Sequence, residues 1–212
     1  MTIDTENLLE SIMQSLDRFE HIKAVDIPNM DLYMDQVTTL MENSLAAASR
    51  HGNEDKILTK TMINNYAKND LLPAPVKKKY SKEHILVLIL IYYFKGILSI
   101  GDIQKLFAPL NEHFFAKENG LKIEDIYNEV FSMEKSQMEV LKQDVVAKYN
   151  LAEEQFEDAP KEHQRFLKMF AFICVLSFDV YVKKQLIEKL IDELAQKKEE
   201  PVKAKDKGKE SK

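Results

Sequence analysis

The chain has 212 residues, of which 45% are hydrophobic and 31% are charged, and its formal net charge is -5. These proportions are ordinary for a globular protein and exclude collagen-like, wholly disordered and disulfide-scaffold classes. The 5 glycines and 6 prolines are too few for the many tight turns of a β-sandwich or barrel, so the composition predicts a mostly helical fold.

The first predicted elements are helices. Apolar residues in three- and four-residue steps predict a helix within residues 2–19, part of an N-terminal helical segment covering residues 1–30. A second helix is predicted over residues 31–45, with Asp31 as its N-cap. A short polar helix is then predicted over residues 60–69, with Thr59 as its N-cap.

A turn and a small hairpin follow the polar helix. The string Leu71-Leu72-Pro73-Ala74-Pro75 forces an extended turn, because proline fixes its own φ and restricts the residue before it. Residues 76–80 are short and basic, and they predict a small hairpin.

Two capped helices come next. Ser81 is predicted to cap a helix over residues 82–95, with Glu83 in its first turn. This helix is apolar on every side, so flanking helices are expected to cover it. Ser99 and Asp102 resemble a capping box, and the helix that they open is expected to end near Pro109.

The rest of the chain is predicted to be helical up to residue 196. One helix is predicted over residues 123–149, an acidic link over 150–160 and a long helix over 161–196. Residues 197–212 have no apolar periodicity and are predicted to be a disordered, lysine-rich tail. The long helix carries a stripe close to heptad spacing, which fits either a monomer core or a dimer seam: Phe166, Phe170, Ile173, Val180, Ile187, Ile191 and Leu194.

The only cysteine, Cys174, lies in an apolar run, where we expect a buried thiol that acts as a small hydrophobe. A single cysteine cannot form a disulfide within the chain, which fits a reducing compartment. The first residues also lack the basic and apolar segments of a signal peptide. The longest uncharged apolar run, residues 85–94, is shorter than the ~20 residues that span a bilayer. We therefore expect a cytoplasmic protein that does not enter the membrane.

No motif for catalysis or for a cofactor is found. The five histidines are far apart, and the sequence contains no CxxC pair, no HExxH and no phosphate-binding glycine loop. The sequence therefore favours neither an enzyme nor a metal or cofactor site, and it names no catalytic residue.

The charge is distributed unevenly. Residues 56–95 carry eight lysines against Asp70 and Glu83, a local charge of +6, whereas residues 1–49 and residues 96–160 are each -7. A basic segment between two acidic ones fits either a surface for a polyanion or a solvated lysine face.

Candidate nucleic-acid contacts lie within this basic segment. On the short polar helix, Met62, Ile63 and Tyr66 are expected to face inward. The outward set combines positive charge for phosphates with amides for base edges, and the hairpin adds three lysines. The candidate DNA-binding residues are Thr59, Lys60, Thr61, Asn64, Asn65, Lys68, Lys77, Lys78 and Lys79.

The order of motifs over residues 58–107, about a quarter of the chain, resembles the MerR-type winged helix-turn-helix domain. The recognition helix of that family corresponds to Met62-Ile63-Asn64-Asn65-Tyr66-Ala67, and its turn corresponds to Asp70-Leu71-Leu72-Pro73-Ala74-Pro75. The end of its wing corresponds to Tyr80-Ser81-Lys82-Glu83-His84-Ile85. Its last motif corresponds to Gly96-Ile97-Leu98-Ser99-Ile100-Gly101-Asp102-Ile103. The chain is also similar to a bacterial domain-of-unknown-function family that carries this core with extra helices on both sides.

The resemblance implies an all-α fold with a MerR-like winged helix-turn-helix core over residues 31–109 and a minimal wing. This core would be flanked by N-terminal helices and by a C-terminal helical region over residues 110–196. The C-terminal region would serve dimerisation or bind an effector. It further implies a transcription regulator that binds double-stranded DNA as a homodimer through its C-terminal helices, with the recognition helix in the major groove and the wing on the backbone.

The sequence departs from that pattern in ways that keep a second hypothesis open. Asn64 and Asn65 stand where the family has Arg and Tyr, the wing is short, and the link over residues 49–58 is longer than usual. The alternative is a helical protein–protein interaction module that retains the winged core as a scaffold without binding DNA.

Overall fold

The computed structural model describes residues 7–17, 21–45 and 57–196. This part of the chain is mostly helical, with one two-stranded sheet. In chain order the elements are α1 (Leu8–Asp17), a 3-10 turn (Ala24–Asp26), β1 (Leu32–Tyr33), α2 (Met34–Leu45), α3 (Lys60–Lys68), β2 (Lys79–Tyr80), α4 (Lys82–Lys95), α5 (Ile100–Phe114), α6 (Ile123–Ser132), α7 (Glu134–Glu153) and α8 (Lys161–Gln196).

Helix α4 is the buried centre of the main core. Every side chain from His84 to Ile89 is buried, as is Ile91. A helix that is apolar on all sides must be covered on all sides, and β2, α5 and α6 pack against it. This confirms the expectation that flanking helices cover it.

Helix α8 joins the main core to a second, smaller one. The main core takes residues from α2 to α6 together with Ile191 near the end of α8. In the smaller cluster, Val145 and Ala152 of α7 pack with Phe172 of α8, and α1 lies against them. The same helix therefore contributes to both cores.

The two-stranded sheet joins β1 and β2 in antiparallel register, with Leu32 opposite Tyr80 and Tyr33 opposite Lys79. A further bridge between Val76 and Lys79 closes the predicted hairpin. The prediction that Asp31 caps a helix is wrong, because the next two residues pair as a strand and α2 begins only at Met34. The strand that pairs with Leu32 and Tyr33 lies some fifty residues later in the chain, so the residues around Asp31 alone could not indicate it.

Two predicted helix ends are also wrong. Helix α5 does not stop at Pro109 but continues to Phe114, because Leu110 and Phe114 pack against the main core and this packing compensates for the missing N–H of proline. The helix predicted over residues 123–149 is two helices that meet at Met133. Helix α6 packs on α4, whereas α7 packs on α1 and α8, so the chain must change direction between them.

Other predictions have mixed outcomes. The N-caps Thr59 and Ser99 and the bounds of α8 are confirmed. Cys174 is exposed rather than buried, because it lies across the helix from Phe172, the residue that faces α7. The described residues do not include residues 1–6 and 18–20, most of the link over 49–58, or the tail over 197–212. None of the described helices has the length and apolar character needed to cross a bilayer.

Helix α3 ends in a tight turn that places a non-glycine residue in the left-handed region. The N–H groups of Leu71 and Leu72 donate to the Tyr66 carbonyl at 2.9 and 3.1 Å. Asp70 has a φ of 55°, at the position where glycine is preferred in this kind of helix end. The turn carries strain that glycine would relieve.

We expect Asp70→Gly to raise the free energy of unfolding by about 0.5–1 kcal/mol, because glycine enters the left-handed region without a steric penalty. The measurement is the urea midpoint. Asp70→Ala is the control and should give no gain, because alanine carries the same penalty. A glycine variant that is no more stable than the parent would contradict the assigned turn.

Candidate nucleic-acid interface

Helix α3 presents its polar residues on one exposed face. Thr59 caps the helix, since its hydroxyl oxygen accepts a hydrogen bond from the Met62 N–H at 3.2 Å. Ile63 and Tyr66 are buried in the main core and Met62 is half-buried. The opposite side chains are all exposed, as predicted: Lys60, Thr61, Asn64, Asn65 and Lys68.

One cation of this face is already paired. The Lys60 ammonium forms an ion pair with Asp35 of α2, and both side chains are well exposed. An exposed pair of this kind contributes at most about 1 kcal/mol. Lys60 could therefore exchange Asp35 for a phosphate at little cost.

The turn after α3 is held in place by α5. The Gln104 side chain donates to the Asn69 carbonyl at 2.8 Å, and the Asn111 side chain donates to the Leu71 carbonyl at 3.1 Å. These two positioning residues were missed from the sequence, because they lie 35 and 40 positions from their acceptors. Their contacts hold the turn that follows α3 against α5.

The hairpin carries two lysines in an unusual backbone conformation. Lys77 and Lys78 have φ values of 50° and 63°, and the Lys79 N–H donates to the Val76 carbonyl at 2.9 Å. Consecutive left-handed residues define a type I′ turn, in which Asn and Gly are the usual residues. Each lysine there costs roughly 1 kcal/mol or more, and both side chains are exposed at the tip.

Lys79 has a different environment from the other two lysines. It is half-buried, and its ammonium lies 5.1 Å from the ring centroid of Tyr33 on β1, within the range of a cation–π contact. The structure therefore brings two predicted lysines to the tip and holds the third against the neighbouring strand.

His84 ties the base of the hairpin to α4. Its Nδ1 accepts the Ser81 N–H at 3.0 Å, so His84 completes a capping box with Ser81, the N-cap residue of α4. Its ring packs edge-on against Tyr80 and Phe115, with centroids 5.5 and 4.7 Å away. This arrangement secures β2 at the start of the buried helix.

The environment of His84 disfavours its charged form. Burial lowers the pKa of His84, and the nearby carbonyls of Ala74 and Pro73 and the charge of Asp31 only partly oppose that effect. Within the described part of the chain, its Nε2 reaches no acceptor at hydrogen-bond geometry. The ring is therefore held neutral at the hairpin base.

The exposed charges around this face are of both signs. Lys68, Lys77 and Lys78 are exposed, but so are Asp35 on α2 and Asp70 in the turn. In the described ranges, no three His, Cys, Asp or Glu side chains come together in a way that could hold a metal ion. The chemistry that this surface offers is thus ionic contact and amide hydrogen bonding.

The family comparison matches residues 22–130 to the family described as Domain of unknown function (DUF1836). The match covers just over half of the chain and includes α2 to α5, the hairpin and most of α6, so the chain belongs to this family. No curated protein and no solved structure matches the chain.

We expect the stability of the protein to fall as the pH drops below about 6.5, the ordinary pKa of histidine. The pKa of His84 is lowered in the folded state, so the unfolded chain takes up the proton first. The free energy of unfolding then falls by up to about 1.4 kcal/mol per pH unit. Urea unfolding between pH 5 and pH 8 measures this slope.

The matched variant for this measurement is His84→Gln. Glutamine at the third helical position can still accept the Ser81 N–H, but it does not titrate. The variant should therefore show a shallower slope below pH 6.5. An unchanged slope would show that other groups cause the pH dependence.

Proposed function

We propose that this protein binds double-stranded DNA as a transcription regulator of the MerR-like winged helix-turn-helix type. In this proposal α3 lies in the major groove and the hairpin over residues 76–80 is a wing on the phosphate backbone. The observation that carries it is the strained turn that places Lys77 and Lys78 at the hairpin tip. Strained residues of this kind are found most often at functional sites.

The order of the elements supports the proposal. A short strand, two helices and a hairpin follow one another, and the hairpin pairs back onto the strand before the first helix. This order is compatible with a winged helix-turn-helix, in which the second helix would read the groove. Side chains of α5 hold the turn that leads from α3 to the hairpin.

The exposed residues divide into two chemical roles. Lys68, Lys77 and Lys78 are exposed cations that can neutralise phosphates and release counterions. Asn64 and Asn65 are exposed amides, and an asparagine side chain can form paired hydrogen bonds with the major-groove edge of adenine. Positioning would come from the lysines and sequence preference from the asparagines.

A second candidate function rests on a specific observation beside the hairpin. Tyr33 is 55% exposed and Val76 is 69% exposed, and both lie next to Lys79 in the sheet. Exposed apolar side chains on this edge favour a protein partner. In that case the winged core is a scaffold and does not bind DNA.

We expect replacement of Lys77, Lys78 and Lys79 by alanine to weaken binding to all DNA sequences. For each phosphate that a lysine no longer neutralises, the slope of log affinity against log salt should become shallower by about 0.9. Fluorescence anisotropy with sheared duplex DNA, at low and near-physiological salt, measures both effects. The control replaces three exposed α8 lysines, Lys161, Lys183 and Lys189, and should leave the slope unchanged.

A companion variant tests the role assigned to α3. Asn65→Ala should change the preference between DNA sequences while leaving the salt slope as it was, because an amide carries no charge to exchange for counterions. Equal binding by the parent and by both sets of variants would show that the assigned surface is wrong. Absence of retention on heparin and on DNA at low salt would favour the protein-partner function.

A further inference from the structure

A cavity of about 350 Å³ lies where the ends of three helices meet. This cavity, called the α1–α8 pocket below, is bounded by Leu8 at the start of α1, by Tyr149 and Glu153 near the end of α7, and by residues 161–172 of α8. Its walls lie outside residues 22–130, the part of the chain that the family comparison matches. Small-molecule sites in proteins have volumes of roughly 300–1,000 Å³, so the pocket is of a size that fits a small organic molecule.

The α8 wall of the pocket changes from cationic to apolar along the helix. Lys161, Arg165 and Lys168 follow one another in steps of four and three residues, which places them on one side of the helix. All three line the pocket, and Met169 and Phe172 continue its wall further along α8. A ligand that lies along this wall therefore meets positive charge at one end and an apolar surface at the other.

Among the described residues that line the pocket, Glu153 is the only acid, and its charge is already compensated. The Lys168 ammonium lies 3.6 Å from the Glu153 carboxylate, and the Tyr149 hydroxyl donates a hydrogen bond to the same carboxylate. Lys161 and Arg165 then determine the sign of the charge in the pocket. Two cations that line a concave site attract an anion.

The apolar end of the pocket has a packed part and a more open part. The Tyr149 and Phe172 rings pack edge to face, with centroids 5.5 Å apart, and Phe172 is buried. Leu8 and Met169, in contrast, are only half-buried. Covering their exposed surface with a ring or an alkyl group is favourable, because that apolar surface then leaves water. The pocket therefore favours an anion that also has an apolar body.

The loop before α8 holds the cationic end of the pocket in place. The Gln164 side chain donates to the carbonyls of Glu157 and Ala159 at 2.7 and 2.9 Å, which ties the loop to the first turn of α8. The acidic side chains of this loop are not among the described residues that line the pocket. Because Lys161 and Arg165 lie in the same helical turn as Gln164, their backbone positions are set before a ligand binds, which lowers the entropic cost of binding.

We propose that the α1–α8 pocket binds a small amphipathic anion, a molecule with one carboxylate or sulfonate group on an aromatic or aliphatic body. The anionic group would contact Lys161 and Arg165, since arginine forms paired hydrogen bonds with a carboxylate. The apolar body would lie over Met169 and Phe172 and beneath Leu8. The proposal does not depend on DNA binding, because the described residues of the pocket are not part of α3 or the hairpin.

Helix α1 would gain stability from such a ligand. Within the described residues Leu8–Asp17, no side chain is fully buried. The helix has only 10 residues, a length at which a helix is marginal on its own. A ligand beneath Leu8 adds a contact between α1 and α8, so we expect its binding to slow amide hydrogen exchange in α1.

The first experiment titrates the full chain with anilinonaphthalene sulfonate (ANS), an aromatic anion whose fluorescence rises on binding, and with phenylnaphthylamine, the same rings without the sulfonate. Combining Lys161→Gln with Arg165→Gln should weaken ANS binding about tenfold or more, the effect of losing two charge-assisted hydrogen bonds. The same double variant should leave phenylnaphthylamine binding nearly unchanged. Leu8→Ala should weaken the binding of both probes, because it removes part of the apolar wall.

The matched control combines Lys183→Gln with Lys189→Gln. It removes the same charge from two exposed lysines of α8 that do not line the pocket, and it should leave ANS binding unchanged. Equal losses of ANS affinity in the two double variants, or a parent chain that shows no saturable binding of ANS, would overturn the proposal.

The second experiment tests the charge of the ligand by competition against bound ANS. Indoleacetate should displace ANS, whereas tryptamine, which carries an ammonium group on the same indole ring, should not, because Lys161 and Arg165 repel it. Displacement by tryptamine as effective as that by indoleacetate would overturn the proposed anion. Amide exchange in α1 that ANS leaves unchanged would overturn the placement of the ligand beneath Leu8.

Discussion

The burial of α4 is the constraint on which the rest of the structure depends. A full burial of each Leu or Ile side chain contributes about 1.5–3 kcal/mol, and α4 buries such residues over all its faces. It must therefore be enclosed by β2, α5 and α6. Because the Ser81–His84 cap joins β2 directly to the start of α4, this requirement also fixes where the hairpin leaves the core.

The same core holds the exposed face of α3 in a defined position. Ile63 and Tyr66 of α3 are buried in the main core. The side chains of Gln104 and Asn111 hold the turn that follows the helix. A surface fixed in this way loses little conformational entropy when it binds. Such preorganisation would serve a DNA duplex and a protein partner equally well.

Capping and spacing signals in the sequence correctly predicted the helix ends that depend only on residues nearby in the chain. Thr59 and Ser99 cap their helices as expected, and the bounds of α8 follow from its apolar spacing. The errors involve residues that meet only in the folded chain. β1 needs β2 as a partner, α5 continues past Pro109 because of distant packing, and the exposure of Cys174 depends on which side of α8 faces α7. The outward residues of α3 followed from periodicity, whereas Gln104 and Asn111 had no local signal.

The packing of α1 against α7 and α8 has a consequence for synthesis of the chain. Ile12, Met13 and Leu16 pack against residues between 145 and 176, which are translated much later. At roughly 5–20 residues per second, the apolar side of α1 stays uncovered for on the order of ten seconds while the main core is being made. During that interval Ile12, Met13 and Leu16 lack the α7 and α8 residues that cover them in the folded chain.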